Sequence, residues 1–156
     1  MKYKRLSIEE LKELEKEFVS FLATAQITGG DWEKMKKEEA EKAEELIDVF
    51  SDLVYDKVMS KISYLEYRDQ KSLNIFHFTE NKIVLVGFRV KESSPLNLTA
   101  DNVFTQWNES NMQSVNAIQT ERSYAKDRGE EVFELIQNGC FITDDVLFKT
   151  ISKLLN

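Results

Sequence analysis

The sequence predicts an α+β protein in which a small antiparallel sheet of three to four strands packs with about five helices. Apolar residues recur at three- and four-residue spacing over residues 8–25 and 46–58, which is typical of helices. The pattern then changes to short strand-like runs between residues 62 and 91. No repeat and no Pro- or Gly-rich linker interrupts the chain, so residues 1–156 are predicted to form a single domain.

Helix boundaries in the N-terminal part follow from capping signals. Residues 7–10, Ser-Ile-Glu-Glu, have the pattern of a capping box and predict a helix that continues to about Ala25. Residues 28–31, Thr-Gly-Gly-Asp, are expected to end that helix and to cap the next. The second helical stretch is predicted from Trp32 to about Lys61, with a break near residues 38–41.

The remaining elements are shorter. Strands are predicted over residues 62–68, 73–79, 82–91 and 115–120. Thr99 is expected to cap a short helix that carries Val103, Phe104 and Trp107. Two helices are predicted to close the chain, at about residues 124–138, where Gly139 stops the helix, and at about residues 144–155.

The hairpin between the second and third strands has apolar residues on both of its faces. With Glu80 and Asn81 as a two-residue loop, which Asn favours because it tolerates positive φ, His77 pairs with Val84 and Ile75 pairs with Val86. The front face then carries Leu73, Ile75, His77, Val84, Val86, Phe88 and Val90. The back face carries Phe76, Phe78, Ile83 and Leu85, and these four residues form a candidate interaction surface. Helices of the same chain are favoured over a partner subunit as the cover of the back face.

Composition limits the classes of partner and the compartment. The chain has 28 acidic and 21 basic residues and a net charge of −7, which disfavours nucleic acid and anionic membranes as general partners. Its longest apolar run, residues 83–88, is far too short to span a bilayer. The basic N-terminus is not followed by the apolar run of a signal peptide, and the single Cys140 excludes an internal disulfide. We therefore expect a cytoplasmic protein without a membrane segment.

Residues with catalytic or metal-binding potential are few. Asp48, Asp52 and Asp56 share one helix face, but they point away from the apolar arc and are interpreted as a solvated acidic face. His77 is interpreted as a packed residue of a strand, and Cys140 as a buried structural thiol. One His and one Cys cannot form a conventional zinc site, and the phosphate-binding glycine motifs are absent. The sequence thus predicts no catalytic residue, no metal and no cofactor.

The segment from Arg122 to Arg128 is the most basic cluster of the C-terminal half. It falls at the predicted start of a helix, where backbone N–H groups favour anions. The candidate anion-binding residues are Arg122, Tyr124, Lys126 and Arg128. The alternative is a capped helix start, with ion pairs to Glu121, Glu130 and Glu131.

Several segments resemble a known family. They are residues 31–35 (Asp-Trp-Glu-Lys-Met), residues 44–54, residues 64–66 (Tyr-Leu-Glu) and residues 133–139. These segments are similar to a family of short acidic proteins from Bacteroidetes that is catalogued as a domain of unknown function. The resemblance covers most of the chain and implies a cytoplasmic bacterial protein, but it implies no activity and no functional residues.

Three functions remain open. The sequence favours a non-enzymatic interaction or regulatory module that forms a homodimer or binds a protein partner, because the hairpin is apolar on both faces and catalytic residues are scarce. The first alternative is a nucleic-acid-associated protein that binds through Arg122, Tyr124, Lys126 and Arg128. The second alternative is a small enzyme that uses His77 with carboxylates distant in sequence.

Overall fold

A computed structural model describes all residues, 1–156, and has an α+β fold with seven helices and a five-stranded antiparallel sheet. The chain divides into two compact units, residues 1–58 and residues 59–156. The α+β class is confirmed, although the predicted numbers of strands and helices were too low. The prediction of a single domain stays a prediction. None of the helices combines the length and the apolar composition that a membrane span requires.

The N-terminal unit is helical. Its helices are α1 (Ile8–Glu13), α2 (Glu15–Thr24), α3 (Gly29–Glu38) and α4 (Ala40–Ser60), the last of which ends just beyond the unit. Ser7 and Thr28 each form the predicted capping box. The first predicted helix is divided at Leu14, whose ψ of 23° departs from helical geometry. The predicted break near residues 38–41 is confirmed, because Glu39 separates α3 from α4.

Aromatic rings form the centre of this unit. The ring of Phe18 lies 5.0 Å from that of Phe50 and 5.1 Å from that of Trp32, and both pairs meet edge to face. Phe21 contacts Phe50 at 5.4 Å. Such pairs stabilise a core beyond the burial of their area, so these rings hold α2, α3 and α4 together.

The acidic face of α4 binds the N-terminal segment. The Asp52 carboxylate accepts hydrogen bonds from the backbone N–H groups of Lys2 and Tyr3, at 2.8 and 2.9 Å. Asp56 contacts the side chains of the same two residues, and Asp48 pairs with Arg5 at 2.5 Å. The interpretation of the three aspartates as a merely solvated face was therefore wrong. The charges point away from the apolar arc, as expected, but a basic extended segment occupies their surface.

The sheet belongs to the C-terminal unit. Its strands are β1 (Tyr64–Arg68), β2 (Ser72–Phe78), β3 (Lys82–Val90), β4 (Val115–Ser123) and β5 (Phe141–Thr143). The strand order is β4-β3-β2-β1-β5, with every neighbouring pair antiparallel. Strand β1 begins two residues later than predicted, and β4 extends three residues further. The fifth strand, β5, was not predicted.

The register of the β2–β3 hairpin agrees with the prediction. His77 lies opposite Val84 and Ile75 opposite Val86, so the composition of the front and back faces is confirmed. The turn itself differs from expectation, because Asn81 does not have a positive φ. The Thr79 side chain closes the turn instead, by accepting from the N–H of Lys82 and donating to the carbonyl oxygen of the same residue.

The segment between β3 and β4 contains the main departure from the predicted elements. Residues 99–106 form turns rather than the expected helix, and Asn102 has a φ of 59°, which helices exclude. Phe104 and Trp107 instead stack on each other and on the buried Phe88. The helix α5 (Glu109–Gln113) was not predicted, and Asn108 caps it.

Two helices cover opposite faces of the sheet. On the front face, α7 (Val146–Leu155) contributes the fully buried Ile151 to the core of Leu73, Ile75, Val86, Phe88, Val90, Leu98 and Val115. On the back face lies α6 (Arg128–Gln137), which begins four residues later than predicted because β4 continues to Ser123. Strand β5 separates α6 from α7.

Gly139 ends α6 as the sequence predicts. Its φ is 103°, and its N–H donates to the carbonyl oxygen of Ile136. The N–H of Cys140 donates to the carbonyl oxygen of Leu135. This pair of hydrogen bonds is a Schellman motif, which needs a left-handed residue at the position of Gly139.

Candidate binding site at the sheet edge

Strand β4 forms a long open edge of the sheet. It has nine residues, Val115–Ser123, and β3 is its only neighbouring strand. Its side chains are exposed at seven of these positions; only Val115 is buried and Ile118 is half-buried. No backbone–backbone hydrogen bond other than those to β3 involves residues 115–123. The outer row of backbone N–H and C=O groups therefore has no backbone partner within the chain, and only the terminal carbonyl oxygen of Ser123 accepts from a side chain, that of Arg122.

The features that usually protect an edge strand are scarce in β4. Natural edge strands are short, or carry Pro, Lys or a bulge that prevents a further strand from pairing. Strand β4 contains no Pro, Gly or Lys, and its register with β3 is continuous over all nine residues. Its charged residues, Glu121 and Arg122, lie at the C-terminal end. The opposite edge of the sheet, β5, has only three residues.

An apolar cleft lies on the back face beside β4. Its volume is about 140 Å³, and its lining residues are Phe76, Ile83, Leu85, Thr120, Glu121, Arg122 and Leu135. The apolar members belong to β2, β3 and α6, whereas Thr120 and Arg122 belong to the edge strand. Phe76, Leu85 and Leu135 are only half-buried, so the cleft exposes apolar surface to solvent.

Three of the four residues of the candidate interaction surface line this cleft. They are Phe76, Ile83 and Leu85. The fourth, Phe78, is 3% exposed and lies under the guanidinium of Arg128, 5.9 Å from ring centre to Cζ. Helix α6 thus covers part of the back face, as expected, and leaves the part nearest β4 open. The role of these residues in binding stays a prediction.

Arg122 joins the candidate anion-binding cluster to the cleft. Its Nη1 lies 2.9 Å from Oε1 of Glu131 and donates to the carbonyl oxygen of Ser123. Glu131 is buried, and its other oxygen accepts from the N–H of Ala125 at 3.2 Å. Because only Nη1 of Arg122 makes contacts within the chain, its Nε and Nη2 groups are available at the rim of the cleft.

Tyr124 and Arg128 are engaged inside the protein. The Tyr124 hydroxyl donates to the carbonyl oxygen of Thr79 at 2.6 Å, and burial raises the pKa of this phenol. The Arg128 guanidinium donates to four carbonyl oxygens, those of Met59, Ile62, Phe78 and Thr79. All three nitrogens of Arg128 take part, so this side chain serves to hold the β2–β3 turn.

Lys126 is exposed and pairs with Glu134, which raises the pKa of its ammonium group. The four candidate anion-binding residues therefore lie close in sequence but have separate surroundings. Arg122 faces the cleft, Lys126 lies on the surface, and Tyr124 and Arg128 bond to backbone carbonyl groups. Binding of an anion or a nucleic acid by this cluster stays a prediction.

His77 lies on the front face between two aromatic rings. It stacks on Tyr64 at 4.4 Å with an interplanar angle of 10°, and it meets Phe148 edge to face at 5.1 Å. No carboxylate forms a hydrogen bond or an ion pair with it in the structure. Burial and the positive charge of Arg128 lower the pKa of its imidazole. The packing agrees with the interpretation of His77 as a packed residue of a strand.

Cys140 is buried at the end of α6, and burial raises the pKa of its thiol. No group of three or more His, Cys, Asp or Glu side chains is arranged to hold a metal ion.

Sequence reasoning did not single out β4, Thr120 or Leu135. The order of strands in a sheet is set by tertiary pairing, so the local sequence does not give the position of β4 in the sheet directly. Leu135 lies in a helix that was predicted, but the surface against which that helix packs was not. The exposed and largely polar composition of residues 116–123 was the one available signal, since central strands are apolar.

These features define an α+β protein whose antiparallel sheet has one long open edge with an apolar cleft beside it. The model of a family described as "Family of unknown function (DUF6495)" matches residues 1–156, and the chain belongs to that family. The predicted resemblance to a domain of unknown function is confirmed, whereas the Bacteroidetes origin stays a prediction. The comparison with curated proteins and the comparison with solved structures each find no match.

Proposed function

We propose that this protein is an interaction module that binds an extended segment of a protein partner along the outer edge of β4. The observation that carries the proposal is the outer row of backbone groups on the nine-residue strand β4, which no other strand of the chain pairs. Addition of a strand to an exposed sheet edge is a common mode of peptide recognition, in which main-chain hydrogen bonds supply affinity.

The length of β4 supports a peptide of comparable length. Each main-chain hydrogen bond contributes a net stabilisation of about 0.5–1.5 kcal/mol. Several such bonds are needed to offset the loss of chain entropy when a flexible segment becomes ordered. The three-residue β5 offers too few backbone groups for this purpose, so β4 is the edge that fits the function.

Charge favours a partner segment over a second copy of the chain. Two copies that each carry a net charge of −7 repel one another, whereas a neutral or basic segment is not repelled. The central residues of β4, Asn116 to Thr120, are uncharged and impose no local repulsion on an approaching strand. The proposed partner is therefore a protein with an exposed, extended, neutral or basic segment.

The test selects nine-residue peptides from a displayed random library on the immobilised protein and maps where they bind. We expect the recovered peptides to slow amide hydrogen exchange at alternate residues of 116–122. N-methylation of the alternate peptide N–H groups that face β4 should abolish binding. N-methylation of the other N–H groups, which face away from β4, should not.

Two outcomes would contradict the proposal. One is the recovery of no binder, or of binders that protect amides outside β4. The other is protection of the β4 amides that grows with protein concentration in the absence of peptide, together with a dimer by light scattering. The latter would show that a second copy occupies the edge.

A further inference from the structure

We infer that the cleft beside β4 receives one apolar side chain of the bound segment and so determines which segments the protein selects. The inference rests on the proposed function, because the segment must lie along β4 for its side chain to reach the cleft. It adds the chemical class of the residue that is recognised: a branched aliphatic or aromatic side chain.

The position of the cleft follows from the register of the sheet. Thr120 lies opposite Leu85 and Arg122 opposite Ile83, so these two residues of β4 face the back of the sheet. Both line the cleft. An added strand would lie about 4.8 Å beyond β4, with every second side chain on the back face. The side chain opposite Thr120 would therefore stand beside the cleft.

The size of the cleft matches one side chain. Its volume is about 140 Å³, and an apolar cavity of about 150 Å³ lined by Leu, Ile and Phe accepts a benzene molecule. A single aromatic ring or a leucine side chain fits such a space. Two bulky side chains do not, so only one residue of the segment is selected there.

The lining explains why this side chain should be apolar. Phe76, Leu85 and Leu135 are half-buried in the protein alone, and covering them with an apolar side chain removes apolar surface from water, which favours binding. A charged group would have to lose hydration to enter the part of the cleft that is lined by Phe76, Leu85 and Leu135, whose side chains offer it no polar partner.

The matched variants are Thr120→Trp and Gln119→Trp. The two residues are neighbours on β4 and both are exposed, but Thr120 faces the cleft whereas Gln119 lies opposite Val86 on the front face. A Trp at position 120 is expected to fill or cover the cleft, and a Trp at position 119 is expected to leave it open. Trp is well tolerated in strands, and unchanged amide spectra away from β4 would show that both variants fold.

The first measurement uses toluene as a probe of the cleft, read from methyl resonances of Ile83, Leu85 and Leu135. Toluene should shift these methyl signals in the wild type and in Gln119→Trp, and its affinity should fall by about tenfold or more in Thr120→Trp. The absence of any shift up to the solubility limit of toluene would overturn the inference. So would equal affinity in the two Trp variants.

The second measurement uses the library-selected nine-residue peptides. Replacing the residue opposite Thr120 by Ala should weaken binding by about tenfold or more, with β4 amides still protected at saturating peptide. An unchanged affinity would overturn the inference but leave the proposed function intact. Because toluene binding needs no added strand, a cleft that binds toluene while no peptide protects β4 would contradict the proposed function instead.

Discussion

The guanidinium of Arg128 donates a hydrogen bond to the carbonyl oxygen of Thr79, 49 residues away in sequence, at 3.3 Å. The same oxygen accepts from the hydroxyl of Tyr124 at 2.6 Å. The β2–β3 turn is thereby fixed to the segment that joins β4 to α6. Arg128 also binds the carbonyl oxygens of Met59 and Ile62 at the start of the C-terminal unit, so one side chain connects three parts of that unit.

Substitution of Arg128 should therefore destabilise the protein. We expect Arg128→Ala to lower the free energy of unfolding in urea by about 2–3 kcal/mol, because four carbonyl oxygens lose a charged donor. Arg128→Lys should recover little of this loss, since a single ammonium group cannot reach all the carbonyl oxygens that the three guanidinium nitrogens contact. Lys126→Ala is the control, because its ion pair with Glu134 is exposed and should contribute little to stability. Equal losses for the substitutions of Arg128 and Lys126 would show that the carbonyl contacts are unimportant.

Gly87 is required by close packing rather than by its backbone angle. A Cβ atom at this position would lie 2.0 Å from the carbonyl oxygen of Leu73 and 3.1 Å from Oδ1 of Asn74. The backbone of β2 would have to move, so Gly87→Ala should cost about 3 kcal/mol or more in the free energy of unfolding. Gly29→Ala is the control, because nothing lies within 4 Å of the added Cβ and the position is in the first turn of α3. Wild-type stability of Gly87→Ala would contradict the packing of β2 against β3.

His77 should make stability depend on pH in a defined direction. Its pKa is lowered in the folded state by burial and by Arg128, so the unfolded chain binds the proton more readily. The stabilising contribution of neutral His77 is present above its ordinary pKa of about 6.5 and is lost as the pH falls below that value.

The free energy of unfolding should therefore decrease between pH 7.5 and 5.5 by more in the wild type than in His77→Phe. The titration of His77 followed by NMR should have its midpoint below 6.5. Since the chain has one His, no other imidazole contributes to the difference. A midpoint above 6.5, or equal pH dependence in both proteins, would contradict the described packing.

The attachment of the N-terminal segment depends on Asp52. Asp52→Ala removes the acceptor of two backbone N–H groups, those of Lys2 and Tyr3, and should cost about 1–3 kcal/mol. Hydrogen exchange at these two amides should become fast, whereas Glu45→Ala on the exposed part of α4 should leave it slow. Slow exchange in Asp52→Ala would mean that other contacts hold the segment.

The register of the hairpin could be predicted because it depends on local pattern. The two-residue loop at Glu80 and Asn81, combined with alternation of apolar residues, allows one pairing that keeps His77 opposite Val84. The conformation of the loop could not be predicted in the same way. The Thr79 hydroxyl closes the turn, and a side-chain hydrogen bond of this kind competes with the usual hairpin turns.

Elements that depend on distant contacts were missed. Strand β5 has three residues, too few for any period to be recognised, and it forms because β1 offers an edge to Ile142. Residues after Thr99 form turns instead of the expected helix because Phe104 and Trp107 stack on Phe88. The acidic face of α4 has the spacing that was predicted, but its partner, the segment with Lys2 and Arg5, lies more than 40 residues away.

In the candidate site, too, local pattern could be predicted and distant contacts could not. Phe76, Ile83 and Leu85 could be named from the hairpin pattern, and Arg122 from its charge. That they line one cleft follows only from the pairing of β3 with β4 and from the position of α6. The role of Arg128 could not be predicted, because every residue has a backbone carbonyl group and the sequence does not show which of them a side chain binds.

The proposed function requires that the outer edge of β4 is open in the protein alone. This openness can be measured by hydrogen exchange of the backbone amides of residues 116–122, at a concentration where light scattering shows a monomer. Alternate amides should exchange almost as fast as in an unfolded peptide, while those bonded to β3 stay protected. Protection of every amide in this stretch would show that something already covers the edge, and it would contradict the proposed function.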